Sequence, residues 1–254
     1  MGIKEITGVT VCSNTRAVLE TAYLSVRRFH PEMEIIIVDG SDARDPCAAF
    51  VRELASAKIS HDQGEIKEPG LTRVIQPGRN IGHGRGMCLG IDNVRTPFAL
   101  IFDSDIEMLK SPVLAMLAMM EEDTYGIGYI EEKTGFDGYE WGSHRHHKKE
   151  GWMRYLHPFF QLLNIANYRK FHPYVHHGAP CYLAMLDIHK RSLSEKILKQ
   201  FPGLGHSSGK GWNWAGIPRE YIRHNTRGTR DERLRKRQPE IEPGWILNNG
   251  RRRA

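Results

Sequence analysis

Phe98-Ala99-Leu100-Ile101-Phe102-Asp103-Ser104-Asp105 runs five apolar residues straight into two carboxylates. A short, unbroken apolar run reads as a parallel strand covered on both faces. In an open α/β sheet, ligands bind outside the carboxyl ends of the strands. Two acids one residue apart at that edge can hold a hard divalent cation, since Mg²⁺ takes one or two carboxylates together with substrate phosphates. The competing reading is a turn, because Asp and Ser also reverse the chain. The residues upstream favour the cation.

Outward from this stretch, the first half alternates strand and helix signals. Ile6 to Val11 reads as a strand, and Asn14 or Thr15 caps a helix that runs to about Phe29, with Leu19, Tyr23 and Val26 at helical spacing. Glu34 to Val38 is a second buried strand ending in Asp39-Gly-Ser-Asp, and a helix covers about Pro46 to Ala57. Thr72 to Ile75 is a short strand; the Gly-rich stretch Asn80-Ile-Gly-His-Gly-Arg-Gly86 then opens a helix to about Val94. Repeated units of this kind predict an α/β fold with a doubly wound, mainly parallel sheet flanked by helices. Beyond Pro112 the pattern predicts a Met-rich core helix to about Glu122 and a strand over Gly126–Ile130. It then predicts a polar loop over 131–151, a helix over Pro158–Phe171, a strand over Ala179–Met185 and an irregular stretch over 202–216.

The 254 residues suit a single domain able to bury a full core. We divide it into a ligand-binding half (1–110), a less regular second half (111–218) and a basic C-terminal segment (219–254). With 40% hydrophobic and 26% charged residues, the composition is that of a globular protein. No run of eighteen apolar residues suggests a membrane span. The opening Met-Gly-Ile-Lys-Glu-Ile lacks a signal-peptide layout. Cys12, Cys47, Cys88 and Cys181 are scattered, as expected of free thiols in a reducing cytoplasm.

The net charge of +6 is localised. Residues 219–254 hold eleven Lys/Arg and five Asp/Glu, whereas the rest of the chain holds twenty-five of each. That segment suits nucleotide phosphates, nucleic acid or peripheral contact with a membrane surface. A solvated tail is the simpler account of Arg251-Arg252-Arg253.

Four motifs in order carry a family resemblance. Val11-Cys-Ser-Asn-Thr-Arg16 precedes the helix segment Ala22-Tyr-Leu-Ser-Val26; Val38-Asp39-Gly40-Ser41 ends the second strand; Asn80-Ile81-Gly82 opens a helix; Asp103-Ser104-Asp105 ends a strand. Together they resemble the family 2 glycosyltransferases, which have the GT-A nucleotide-sugar fold. The likeness is close over about residues 6–110 and looser beyond. It implies an enzyme that moves a sugar from a nucleoside diphosphate donor, UDP- or GDP-sugar foremost, to an acceptor hydroxyl on a glycan, protein, lipid-linked intermediate or modified DNA base. The basic segment keeps DNA among the acceptors.

Residue by residue, Ser13, Asn14, Arg16 and Asp39 follow the first two strands and can surround one ligand, with Asp39, by resemblance, accepting a hydrogen bond from the base. Glycines such as Gly82 let backbone approach the donor beside Asn80, and Arg85 is placed for phosphate. Asp103, Ser104 and Asp105 form the Asp-x-Asp element, and a late histidine, His224, is a further metal ligand by resemblance. An imidazole beside carboxylates suits Mn²⁺ somewhat better than Mg²⁺. Arg227 and Arg230 would stabilise the departing diphosphate.

His176 and His177 are acceptor-pocket candidates. Trp212 and Trp214 either stack on a sugar or base or fill core. The clustered His144, His146 and His147 sit among Lys and Arg, which favours a solvated loop over a metal site.

One departure stands out. Inverting relatives carry an acidic pair after the strand that 181–186 would correspond to, where one carboxylate deprotonates the acceptor. Here Phe201–Trp212 contains no acid. Asp137, Asp187 and His206 are the candidate bases, and a retaining route is equally open. Two rivals follow: a nucleotide-sugar-binding module without turnover, favoured by the missing pair, and a sugar-phosphate nucleotidyltransferase, disfavoured by Ser-Asn-Thr-Arg after the first strand.

Overall fold

A computed structural model describes residues 2–56, 71–134, 152–175, 179–204 and 220–224. The first half follows the predicted alternation: β1 (Ile6–Cys12), α1 (Arg16–Phe29), β2 (Glu34–Asp39), α2 (Pro46–Ser56), β3 (Thr72–Ile75), α3 (His83–Asp92) and β4 (Phe98–Phe102). The second half adds β5 (Ile106–Met108), α4 (Val113–Ala118), β6 (Gly126–Thr134), β7 (Trp152–Asn164) and α5 (Ile165–Tyr168). It closes with α6 (Tyr182–Lys190), α7 (Ser194–Ile197), β8 (Leu198–Gln200) and β9 (Ile222–His224).

Seven strands form one sheet in the order β3-β2-β1-β4-β7-β6-β8. β3, β2, β1 and β4 are parallel, β7 is antiparallel to both β4 and β6, and β8 is parallel to β6. Every residue of β4 is buried. Alternation along it supplies two cores: Phe98, Leu100 and Phe102 pack with Ile35, Ile37 and Leu19, while Ala99 and Ile101 pack with Ile36, Val38, Met87 and Met185. Each such aliphatic or aromatic side chain contributes roughly 1.5–3 kcal/mol on burial. Helices on both faces explain why the strand shows no polar alternation.

Two expectations are overturned. Residues 158–171, expected to be helical, form the second half of β7 followed by the short α5. Phe159, Phe160, Leu162 and Leu163 are all fully buried because β7 is central, and an apolar run covered on both sides fits either periodicity. Pro158 lacks an N–H, and it falls where the β6–β7 register shifts between Gly128 and Ile130. Residues 179–185, expected to be a strand, lead instead into α6, which buries Tyr182, Ala184, Met185 and Ile188 at helical intervals. The sheet is completed by β7, not by residues 179–185. α4 also stops at Ala118, short of the expected Glu122, and β6 runs on to Thr134, past the expected loop start.

α1 ends at His30, which is buried with Nε2 2.6 Å from Ser111 Oγ. Burial pushes this imidazole down to about 4. An unfolded histidine titrates near 6.5, so between these values the unfolded chain binds the extra proton. Stability from this group is therefore complete above about pH 6.5 and falls as the pH drops towards 4, by roughly 2–3 kcal/mol. His30→Gln should flatten that acid limb, read as the difference in urea midpoint between variant and parent from pH 7 to 4.5. Parallel curves would show that His30 does not carry it.

Candidate active site

The carboxyl ends of β1, β2 and β4 lie side by side, with Cys12 opposite Asp39 and Val9 opposite both Ile36 and Ile101. Residues that follow these strands therefore meet at one edge. Asp103 leaves β4 with its main-chain N–H donating to Phe159 O at 2.9 Å. After Asp105 the chain enters β5, which pairs antiparallel with β9 so that Ile106 stands opposite His224. Leu109 N donates to Tyr221 O at 2.7 Å, and Arg223 pairs with Glu107, fastening this ribbon. Long-range pairing thus brings His224 to the carboxylates.

His224 lies flat on Phe159, ring centroids 5.1 Å apart and planes 10° from parallel. Its Nε2 is 3.2 Å from Asp105 Oδ1 and 3.6 Å from Asp103 Oδ2. One donor atom from each of these three residues lies within 4.8 Å of the others. A fourth group, His83 at the start of α3, places Nε2 3.2 Å from Asp103 Oδ1. His157 on β7 also acts electrostatically on Asp103. Burial opposes the Asp103 charge, yet the His83 hydrogen bond and the positive influence of His83, His224 and His157 hold its carboxyl at about 2. Burial likewise opposes the protons on His83 and His224, but Asp103 (for His83) and Asp105 (for His224) raise both above the ordinary imidazole value.

The segments after β1, β2 and β3 are stitched together at the same sheet edge, forming the wall of a candidate donor pocket. Asp39 is buried; its Oδ1 accepts from Ser41 N at 2.9 Å and from the Cys12 thiol at 3.5 Å, its Oδ2 from Gln76 Nε2 at 2.9 Å. Ser13 Oγ donates to Gly40 O at 3.1 Å and accepts from Asn80 Nδ2 at 3.2 Å, while Asn80 Oδ1 accepts from Gly82 N at 2.9 Å. Asn14 exchanges hydrogen bonds with Asp42, both at 2.9 Å. Gly82 adopts φ +86°, a left-handed conformation that favours glycine.

The structure thus gathers Asp103, Asp105 and His224 in one cluster, with Ser104 buried between the carboxylates. It links Ser13, Asn14, Asp39, Asn80 and Gly82 in the pocket wall. Arg85 is exposed on α3. Arg16 lies over the Phe50 ring with Nε 3.8 Å from Glu20. Asp187 forms a bidentate pair with Arg191 one turn along α6, at 2.8 and 2.9 Å. Asp137, His176, His177, His206, Trp212, Trp214, Arg227 and Arg230 lie outside the described residues, as does the basic segment beyond His224. His83 and His157 escaped the sequence reading. The signal for His83 was its place inside Asn80–Gly86, at the first helical position.

The family model described as Glycosyl transferase family 2 matches residues 8–187, a span that includes both carboxylates and the whole pocket wall. The chain belongs to that family. It is a glycosyltransferase of GT-A fold, as the ordered motifs led us to expect. No curated protein matches it in sequence. Among solved structures it is similar to a mannosyltransferase from Pyrobaculum calidifontis in complex with GDP-Man and Mn²⁺. Identity is 11%, coverage 96% of this chain and 67% of that one, and the TM-score 0.56. TarS residues 1–349 from S. aureus, in complex with UDP, aligns at 14% identity over 96% of this chain and 70% of that one, TM-score 0.51.

Two carboxylates and an imidazole converging in this way could hold Mn²⁺ or Mg²⁺. Among the described residues, only histidines lie within ion-pair distance of Asp103 and Asp105. No helix among the described residues is long and apolar enough to cross a membrane.

Proposed function

We propose that this glycosyltransferase moves a sugar from a nucleoside diphosphate sugar to an acceptor hydroxyl, with a divalent cation, Mn²⁺ or Mg²⁺, held by Asp103, Asp105 and His224. The convergence of those three donor atoms within 4.8 Å beside the Asp39 pocket carries the reading. The mannosyltransferase with GDP-Man and Mn²⁺, and a TarS structure with UDP-GlcNAc at TM-score 0.50, lend it support. When bound, the cation neutralises charge developing on the leaving diphosphate.

The chain's own residues do the rest. Asp39, held by Ser41 N and Gln76, accepts a hydrogen bond from the base. Asn80 and Gly82 shape the backbone beside the donor, and the cationic groups assigned to its phosphates are Arg85 and, by the family resemblance, Arg227 and Arg230. His83 holds Asp103 by Oδ1, leaving Oδ2 as the oxygen that approaches His224. His176, His177, Trp212 and Trp214 belong to the acceptor side. Of the candidate bases, Asp187 already has its carboxylate in the Arg191 pair, which favours Asp137 or His206.

Thermal-shift measurements with UDP-, GDP-, CMP- and dTDP-sugars, each with and without Mn²⁺, test the reading, because a ligand of the native state raises its melting temperature. One nucleotide class should stabilise the protein only with metal. Asp39→Ala should weaken that binding about 10- to 100-fold, the worth of a hydrogen bond to a charged group. If no donor shifts the transition with metal present, the proposal fails.

A further inference from the structure

Two thiols lie directly behind Asp39, outside the chemistry described so far. Cys12 is the last residue of β1 and Cys47 stands in the first turn of α2; both are buried, with their sulfurs 4.0 Å apart. Their surroundings differ. The Cys12 thiol donates to Asp39 Oδ1 at 3.5 Å. The Cys47 thiol donates to Cys12 Sγ at 4.0 Å, and the Cys47 main-chain N–H donates to Asp45 Oδ1 at 2.8 Å where α2 begins. A place in the first turn of a helix favours a thiolate.

We propose that Cys12 and Cys47 form an oxidisable dithiol at the base of the donor pocket, converted by hydrogen peroxide to a disulfide that weakens nucleotide binding.

Cys47 is the attacking sulfur. The adjacent Cys12 sulfur foremost, with Ser41 and Thr15 adding to it, outweighs burial and holds Cys47 below the ordinary thiol range; the proximity of Cys47, with burial, pushes Cys12 up. Peroxide suits a closed site because it is little larger than water. The Cys47 thiolate attacks one peroxide oxygen, the O–O bond breaks, and the departing hydroxide takes a proton to leave as water. Cys12 then attacks the sulfenic sulfur, the S–O bond breaks, and a second water leaves with the Cys12 proton. Two thiols have lost two electrons and peroxide has gained them.

A disulfide requires sulfurs about 2.05 Å apart and leaves Cys12 without its S–H, so the hydrogen bond to Asp39 Oδ1 is lost. The carboxylate read above as the base acceptor then loses one of its donors. That consequence rests on the proposed role of Asp39, whereas the cross-link itself does not, so the two are read separately.

The full-length protein, treated with a few equivalents of peroxide and digested without reductant, should yield a Cys12–Cys47 linked peptide lighter by two hydrogens. Cys47→Ser should abolish the link. Cys12→Ser should instead leave a sulfenic acid on Cys47 that dimedone traps. In the parent, affinity for UDP or GDP with Mn²⁺ should fall about tenfold on oxidation and return with dithiothreitol. The assignment is overturned if both cysteines remain alkylatable in the parent at a peroxide dose that oxidises Cys88. Recovery of one tightly bound zinc per chain with peroxide-resistant thiols would also overturn it, replacing the dithiol by a metal site. A cross-link that forms without loss of nucleotide affinity would defeat the inhibitory role and count against Asp39 as base acceptor.

Discussion

Asp105→Ala should reduce metal-dependent release of nucleoside diphosphate from the donor by about 10³-fold, the scale on which removal of a transition-state charge stabiliser acts. Asp105 is buried and faces His224 Nε2 at 3.2 Å, so its loss removes one ligand and releases the orientation of another. The fold should persist, since Asp105 belongs to a turn and the packing of β4 and β7 is untouched. Asp105→Asn keeps the shape without the charge and should lose nearly as much. Donor turnover measured with saturating Mn²⁺, alongside the melting temperature, checks both statements. Parent-like rates in either variant would remove Asp105 from the chemistry.

The second large effect is structural. A Cβ added at Gly90 would lie 2.4 Å from Val9 Cγ1 and 3.3 Å from Val38 Cγ2. One turn earlier, a Cβ at Gly86 would lie 2.7 Å from Val11 Cγ1. These glycines let α3 sit close against β1, and α3 carries His83 at its first position. Gly90→Val should therefore cost about 3 kcal/mol through overpacking, visible as a lower urea midpoint. It should also cut turnover, because a helix pushed off the sheet takes His83 away from Asp103. Val9→Ala combined with Gly90→Ala should restore much of the stability lost by Gly90→Ala alone, a favourable coupling of the kind seen between residues in contact. Simple additivity would show that the close approach is not what constrains this site.

The parallel half was legible because each strand there ends in a turn with its own chemical signature. Val38-Asp39-Gly40 and Phe102-Asp103-Ser104 announce both the end of a strand and a pocket at that end. The second half offered no such punctuation. Phe159 to Leu163 is apolar on both faces, so periodicity could not separate strand from helix, and Ala179–Met185 had the same ambiguity in reverse. His224 was read as a ligand from resemblance, but its route to the site, through β9 pairing with β5, is a contact across more than a hundred residues that local pattern does not encode. His83 has no signature of its own among the surrounding glycines, since its partner Asp103 lies twenty residues away and meets it only in the folded sheet.

The β5–β9 ribbon has a consequence for how the protein comes to life on the ribosome. Both acids are synthesised and can be seated on their strand long before the imidazole leaves the exit tunnel. A nascent chain therefore presents Asp103 and Asp105 without their imidazole neighbour until the three-residue β9 pairs with β5. The carboxylates and the imidazole that faces them come together only after about 120 further residues have been made, through pairing that no local segment can supply.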